Sequence, residues 1–247
     1  MEPEEYARMF HAEQSHWWYR GMETLTRALL CRWYMPGEGL QILDAGCGTG
    51  AAMAGCLAEF GRVTGADLSP LALDFCRARR LTRLARASVV ELPFAARSFD
   101  LVTSFDVLYA SGVPEDARAV EEFSRLLVPG GRLLLRLPAC DWLRGAHDRQ
   151  VHTARRYSLR RASALLLQAG LALEHATHAN SLLFPLAVAV RSLEKLTPPG
   201  WRVPDLRRGT GRLNGLLQAL LESEAPLMTR RRVPFGLSLY AVGRKTA

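Results

Sequence analysis

Glycines 46, 48 and 50 stand directly behind an apolar run in Gln41-Ile42-Leu43-Asp44-Ala45-Gly46-Cys47-Gly48-Thr49-Gly50. A strand that enters such a turn and then a helix of small residues forms a cradle. Without Cβ atoms the chain turns sharply and brings its amides close to a ligand, and the helix start adds a positive dipole end. The spacing is G-x-G-x-G, whereas dinucleotide turns read G-x-G-x-x-G, so a pyrophosphate is the poorer match. A second acid, Asp67 in Val63-Thr64-Gly65-Ala66-Asp67-Leu68-Ser69-Pro70, closes the next apolar run where doubly wound folds place a ribose-binding carboxylate. Further along, His147-Asp148, His152 and Arg155-Arg156-Tyr157 combine groups that titrate near neutral pH with planar anion-binding forks. Alternatively, these residues bond the loop that carries them.

The elements that must hold these groups follow from periodicity and breakers. Strands are expected at 41–44, 63–66, 87–90, 101–105, 132–137, 171–177 and 235–243. Helices are expected at 22–34, 51–60, 70–79 with proline in its first turn, 114–127 ended by Pro129-Gly130-Gly131, and 158–169 stopped by Gly170. The alternation predicts an α/β fold, a Rossmann-like, doubly wound, seven-stranded sheet, with its motifs at the carboxyl ends of the strands. Residues 180–233 are a long connection between the last two strands. Leu182, Leu183, Leu186, Val190 and Leu193, then Leu213, Leu216, Leu217, Leu220 and Leu221, mark two amphipathic helices separated by Pro198-Pro199-Gly200. The organisation is therefore an N-terminal helical and aromatic segment (1–40), a core (41–179 and 234–247) and a helical insertion (180–233). That insertion could cap a site, dimerise or lie on a membrane surface through 181–196.

A chain of 247 residues, 49% hydrophobic, can bury one full core. The start, Met1-Glu2-Pro3-Glu4-Glu5, has no apolar stretch behind it, and the longest apolar run is too short to span a bilayer. The reading is a cytoplasmic protein, monomeric or homodimeric. The net charge of +8 comes mostly from arginine without an aromatic-interleaved RNA-binding pattern, so nucleic acid is not the expected partner. Five scattered cysteines form no C-x-x-C pair and read as small core hydrophobes, and no metal is expected.

The glycine motif LDAGCGTG, followed in order by Leu92-Pro93-Phe94, Ser98-Phe99-Asp100-Leu101-Val102 and Leu127-Val128-Pro129-Gly130-Gly131-Arg132-Leu133-Leu134-Leu135, resembles the class I S-adenosylmethionine-dependent methyltransferases, in particular a large bacterial group of them. The resemblance implies a sheet whose last strand is antiparallel, S-adenosylmethionine as cofactor, and methyl transfer to an O-, N- or C-nucleophile of a small molecule. Asp44 and the turn Gly46, Cys47, Gly48 and Gly50 would hold the methionine part. Asp67 would take the ribose hydroxyls, Leu68 the adenine face, and Ser88 with Val89 the adenine edge, although the group usually has an acid at position 88. Phe105 and Asp106 would line the pocket. The Glu-His often found next is Tyr109-Ala110 here, which removes one source of a base.

His16-Trp17-Trp18-Tyr19-Arg20 and Asn180-Ser181-Leu182-Leu183-Phe184-Pro185 resemble one subgroup of these enzymes. By that resemblance Tyr19 or Arg20 meets the cofactor carboxylate, while the tryptophans close over the cleft or anchor the segment by packing. Displacement at a sulfonium methyl needs a dry, aligned approach, and a base where the nucleophile carries a proton. His147, His152 and Tyr157 are the catalytic candidates, and Trp18, Arg155, Arg156 and Asn180 those for binding an acceptor, an acidic one included. Two other readings stay open: a regulatory protein that holds the cofactor without transfer, and a peripheral membrane enzyme with a lipid-linked acceptor.

Overall fold

The computed structural model describes residues 3–110, 113, 115–141, 155–196 and 211–246, with the backbone alone at 3, 191–196 and 212. Strands β1 (Leu40–Ala45), β2 (Gly61–Asp67), β3 (Leu84–Arg86), β4 (Phe99–Phe105), β5 (Leu127–Pro138), β6 (Leu171–Ala179) and β7 (Ser238–Lys245) form one sheet in the order β3-β2-β1-β4-β5-β7-β6. All neighbouring pairs from β3 to β5 are parallel, and β7 is antiparallel to both β5 and β6. Two reversals make β6 run with β5. The carboxyl ends of β1, β2, β4, β5 and β6 therefore share one edge of the sheet, the edge on which doubly wound folds bind ligands.

Nine helices are described: α1 (Pro3–Ser15), α2 (Trp17–Leu30), α3 (Ala51–Ala54), α4 (Pro70–Ala78), α5 (Asp116–Leu126), α6 (Leu159–Gln168), α7 (Phe184–Leu196), α8 (Asn214–Glu222) and α9 (Ala225–Arg230). Central strands are covered on both faces, which is why β1 and β4 are buried at nearly every position rather than at alternate ones. On one face Val120 and Phe123 of α5 and Leu166 of α6 pack against Leu43, Val102, Leu133 and Leu135. On the other, Met22, Leu25 and Leu29 of α2 meet Ile42, Leu101, Leu134 and Val242 together with Leu217 and Leu221 of α8 and Met228 of α9. The approach of α8 to α2 is close: a Cβ on Gly21 would lie 2.5 Å from Leu221 Cδ2. The inward side of the insertion is thus part of the sheet's own cover. No described helix is long and apolar enough to cross a membrane.

Several boundaries differ from the sequence-based expectation. The stretch 51–60 is not one helix: α3 ends at Ala54, Gly55 leaves helical geometry, and a 3-10 turn follows at Cys56–Glu59. Glu23 causes the break, since its Oε1 accepts from Cys56 N at 3.1 Å and would meet a Cβ on Gly55 at 2.1 Å. Strand β3 lies at Leu84–Arg86, pairing with Gly65–Asp67, so Ser88 and Val89 follow it instead of forming it. Pro129-Gly130-Gly131 falls inside β5, whose pairing with β4 shifts register between Phe99 and Leu101. The tryptophans open α2, capped by the His16 side chain accepting from Trp18 N, and an unforeseen α1 precedes them. The described part of the insertion forms three helices, α7 to α9, and the Pro198-Pro199-Gly200 break lies outside the described residues.

Candidate functional site

Gly46, Gly48 and Gly50 all adopt left-handed backbone, with φ of 81°, 54° and 81°. Side chains are excluded at the outer two: a Cβ would lie 2.3 Å from Val107 Cγ2 at Gly46 and 2.6 Å from Leu81 Cδ1 at Gly50. The helix behind the turn has four residues, so a macrodipole contributes little, and most of the turn's amides are bonded within the protein: Gly46 N and Cys47 N to Ala66 O, Gly50 N to Cys47 O and Gly48 N to Asp67. Asp67, closing β2, fixes that geometry. Its Oδ2 accepts from Gly48 N and its Oδ1 from Ser69 N, both at 2.9 Å. Burial raises its carboxyl above the ordinary range while these amides pull it back. Each oxygen keeps lone-pair capacity for a further donor. Next to it Leu68 stands 58% exposed, a bare apolar surface beside a carboxylate. A ribose on Asp67 and an adenine face on Leu68 fit this pair, and S-adenosylmethionine therefore fits the turn.

Asp44 is fully enclosed under the turn, its Oδ1 accepting from Thr103 Oγ1 at 2.8 Å. Burial pushes its carboxyl up to about 6, against the Thr103 hydrogen bond and the positive charge of Arg136. Arg136, projecting from β5, binds Asp106 at 2.7 Å and lies 4.9 Å from the Phe105 ring and 5.5 Å from that of Trp18. The structure thus gathers Trp18, Phe105 and Asp106 about an arginine that sequence reasoning missed. No motif pointed to it, since Arg136 reads as one polar position in an apolar strand. Arg20 is exposed and pairs with Glu23 at 3.0 Å, and Tyr19 packs edge-on against Trp18.

Helix α1 roofs the turn. Met9 Cε would lie 3.4 Å from a Cβ on Gly48, Tyr6 is buried near Asp67 and Ser69, and Arg79 stacks on Phe10 with its guanidinium 4.4 Å from the ring centroid. Glu13 accepts from Thr49 Oγ1 and pairs with Arg79 at 2.7 Å. Burial raises the Glu13 carboxyl, opposed by Thr49 and Arg79. The signal for α1 was present in the spacing of Tyr6, Met9, Phe10 and Glu13, a single helical stripe.

Three strands end on non-glycine residues in left-handed geometry: Asp106 after β4 (φ 57°), Cys140 after β5 (61°) and Asn180 after β6 (59°). All lie on the carboxyl edge, and such strain gathers at functional sites. Asn180 is 1% exposed, and its side-chain Oδ1 has no hydrogen-bond partner among the described residues.

The remaining predicted residues are placed otherwise. Ser88 and Val89 sit in the turn after β3, where Ser88 bridges to Glu91. Tyr157 is buried and donates toward Leu108 O at 3.0 Å and Asp116 Oδ2 at 2.9 Å. Burial and the Asp116 charge push its phenol up. Arg155 and Arg161 converge on the same carboxylate, Arg155 also donating to Val113 O, and the buried Arg156 donates to Ala139 O at 2.7 Å. Burial raises the Asp116 carboxyl, but Tyr157 and the two arginines more than offset this and hold it low. These groups tie the chain before α6 to α5 and to the ends of β4 and β5. His147 and His152 lie outside the described residues. No metal-binding group of three or more His, Cys, Asp or Glu occurs among the described residues.

Residues 43–135 match the family model described as methyltransferase domain. The demethylmenaquinone methyltransferase of Clavibacter sepedonicus is 36% identical over 121 residues, 47% of this chain and 48% of its own length. The ubiquinone biosynthesis O-methyltransferase of Alkalilimnicola ehrlichii is 36% identical over 103 residues, covering 39% and 41%. The chain thus spans about half the length, or less, of these curated relatives. A solved S-adenosylmethionine-dependent methyltransferase of Thermotoga maritima superposes with a TM-score of 0.60 at 16% identity, over 98% of this chain and 95% of that one, and shares its fold.

Proposed function

We propose, on the premise that this chain carries a class I S-adenosylmethionine-dependent methyltransferase domain, that it transfers a methyl group to a small molecule of the quinone or phenol type. The observation that carries the reading is the glycine turn locked to Asp67, with Leu68 left bare beside it. S-adenosylmethionine supplies an electrophilic methyl on its sulfonium. Asp67 receives the ribose hydroxyls, and the glycine turn at residues 46–50 lets the methionine portion approach the backbone closely, with Asp44 buried at the end of the strand that leads into it. Arg136 is a better reader of the methionine carboxylate than Arg20, because it stands among Trp18, Phe105 and Asp106 whereas Arg20 is turned to solvent.

The acceptor side is the edge from Asp106 through Cys140 to Asn180. A hydroxyl donating to Asn180 Oδ1 satisfies a buried acceptor whose isolation costs about 1 to 3 kcal/mol. His147 and His152 are the proposed source of a base for a phenolic proton, while Tyr157 acts as a clamp for the chain that follows them. Calorimetry with S-adenosylmethionine, followed by labelled methyl transfer to a panel of quinols and phenols, tests the reading. Saturable cofactor binding without transfer to any member would point to the non-catalytic alternative, and absence of binding would remove the premise.

A further inference from the structure

The outward sides of residues 182–190, which lead into and form the first half of α7, and of α8 carry an apolar character that packing does not require. From Ser181 to Val190 and from Leu213 to Leu221 the sequence contains no charged residue. The inward side chains, Leu183, Leu217 and Leu221, are buried, which accounts for their type. The outward ones are apolar as well: Leu182 and Leu186 are 50% and 44% exposed, and Leu213 and Leu216 are 53% and 66% exposed. Residues 213, 216 and 220 recur at helical spacing on one side of the α8 segment. A helix that only covers a core turns polar residues outward. Helix α2 does so with Arg20 and Arg27.

A second observation gives the charge of what covers this face. Arg230, Arg231 and Arg232 are all exposed, one turn beyond the exposed Leu227. No acid among the described residues pairs with them. Glu224 is buried and occupied by the amides of Ser181 and Leu182, at 3.0 and 2.7 Å, contacts that also bring the start of α7 beside α9. Glu222 accepts from Thr24 and Gln218.

We propose that this face docks the protein on an anionic lipid bilayer. Leu182, Leu186, Leu213 and Leu216 enter the boundary between headgroups and acyl chains, and Arg230 to Arg232 meet lipid phosphates. Apolar area and a cationic cluster are the two components from which interfacial binding is built. The inference is independent of which acceptor the enzyme takes.

The test is flotation of the full chain with phosphatidylcholine vesicles, with and without about one-third phosphatidylglycerol, a fraction chosen to give a strongly negative surface. The expected result is co-flotation with the anionic vesicles, at least tenfold above the neutral ones and falling as salt rises. Leu213→Ser/Leu216→Ser and, separately, Arg230→Gln/Arg231→Gln/Arg232→Gln should each lower it by tenfold or more, with cofactor affinity unchanged. Equal partition with neutral and anionic vesicles, or none with either, overturns the proposal whatever the variants do. So does a sedimentation result in which the leucine variants dissolve a dimer while vesicle binding persists.

Discussion

The two faces of the sheet are covered in different ways. One is packed by α5 and α6, crossover helices that lie next in sequence to the strands they cover. The other is packed by α2 together with α8 and α9, elements drawn from far apart along the chain and fastened by Thr26 Oγ1 to Tyr240 OH at 2.8 Å and by Leu221 against Gly21. The first face is the generic half of the fold. The second uses the insertion as structural material, so a segment that looks accessory by its position is part of the core by its packing. Its outer surface is then free to serve another purpose.

Removing residues 181–233 and joining the flanking strands should produce the largest effect. With Leu217, Leu221 and Met228 gone, the lower halves of α2 and β7 lose their cover, and thermal melting should lose its cooperative transition. A deletion that melts like the parent would show that the two faces are not equal partners. Leu221→Ala sharpens the comparison: it should cost about 2 to 5 kcal/mol in denaturant unfolding, the same range as Leu133→Ala beneath the opposite face. A cost well under about 1 kcal/mol at Leu221 alone would return the insertion to the status of a lid.

Next in size, Asp67→Ala should weaken S-adenosylmethionine binding by roughly 2 to 3 kcal/mol in calorimetry, because a charged acceptor is lost and Gly48 N loses its anchor. An unchanged dissociation constant in a folded variant would show that the ribose is held elsewhere.

Asp44→Asn should act in the opposite sense on stability. The native carboxyl holds its proton up to about pH 6, whereas an ordinary one releases it near 3.8, so the wild type loses stability as pH rises between these values. The asparagine variant escapes that loss. It should equal the wild type near pH 4 and exceed it by up to about 3 kcal/mol above pH 7, while binding the cofactor less well. Melts at the two pH values that moved in parallel would contradict the burial argument. The smallest effect belongs to Leu216→Ser, expected within about 0.5 kcal/mol of wild type in stability, since the side chain packs on little.

Much of the site could be read in advance because its determinants are local. Gly46, Gly48, Gly50 and Asp67 are turn and strand-end residues whose types follow from backbone conformation within a few positions. What escaped depends on distance along the chain. Arg136 gains its role only when β5 lies beside β4 and Trp18 folds over it, and Glu13 only when α1 crosses to Thr49 and Arg79. Gly55 reads as a tolerated helical glycine until Glu23, thirty-two positions earlier, takes the amide of Cys56. Tyr157 and Arg155 look like chemistry in sequence because a phenol, a guanidinium and a carboxylate also make a good structural clamp, as they do around Asp116.

The place of β7 has a consequence for how the protein is made. Last of the strands in the chain, it lies between β5 and β6 and supplies the hydrogen bonds of both. During synthesis, until residues 238–245 have emerged, β5 presents an open edge and β6 has no partner in the sheet. The nascent chain must wait through the whole length of the insertion with that edge exposed, a period in which off-pathway strand pairing competes with folding. Ribosome-stalled chains ending before β7 should therefore be far more protease-sensitive than chains in which it has emerged, with little gradation between the two.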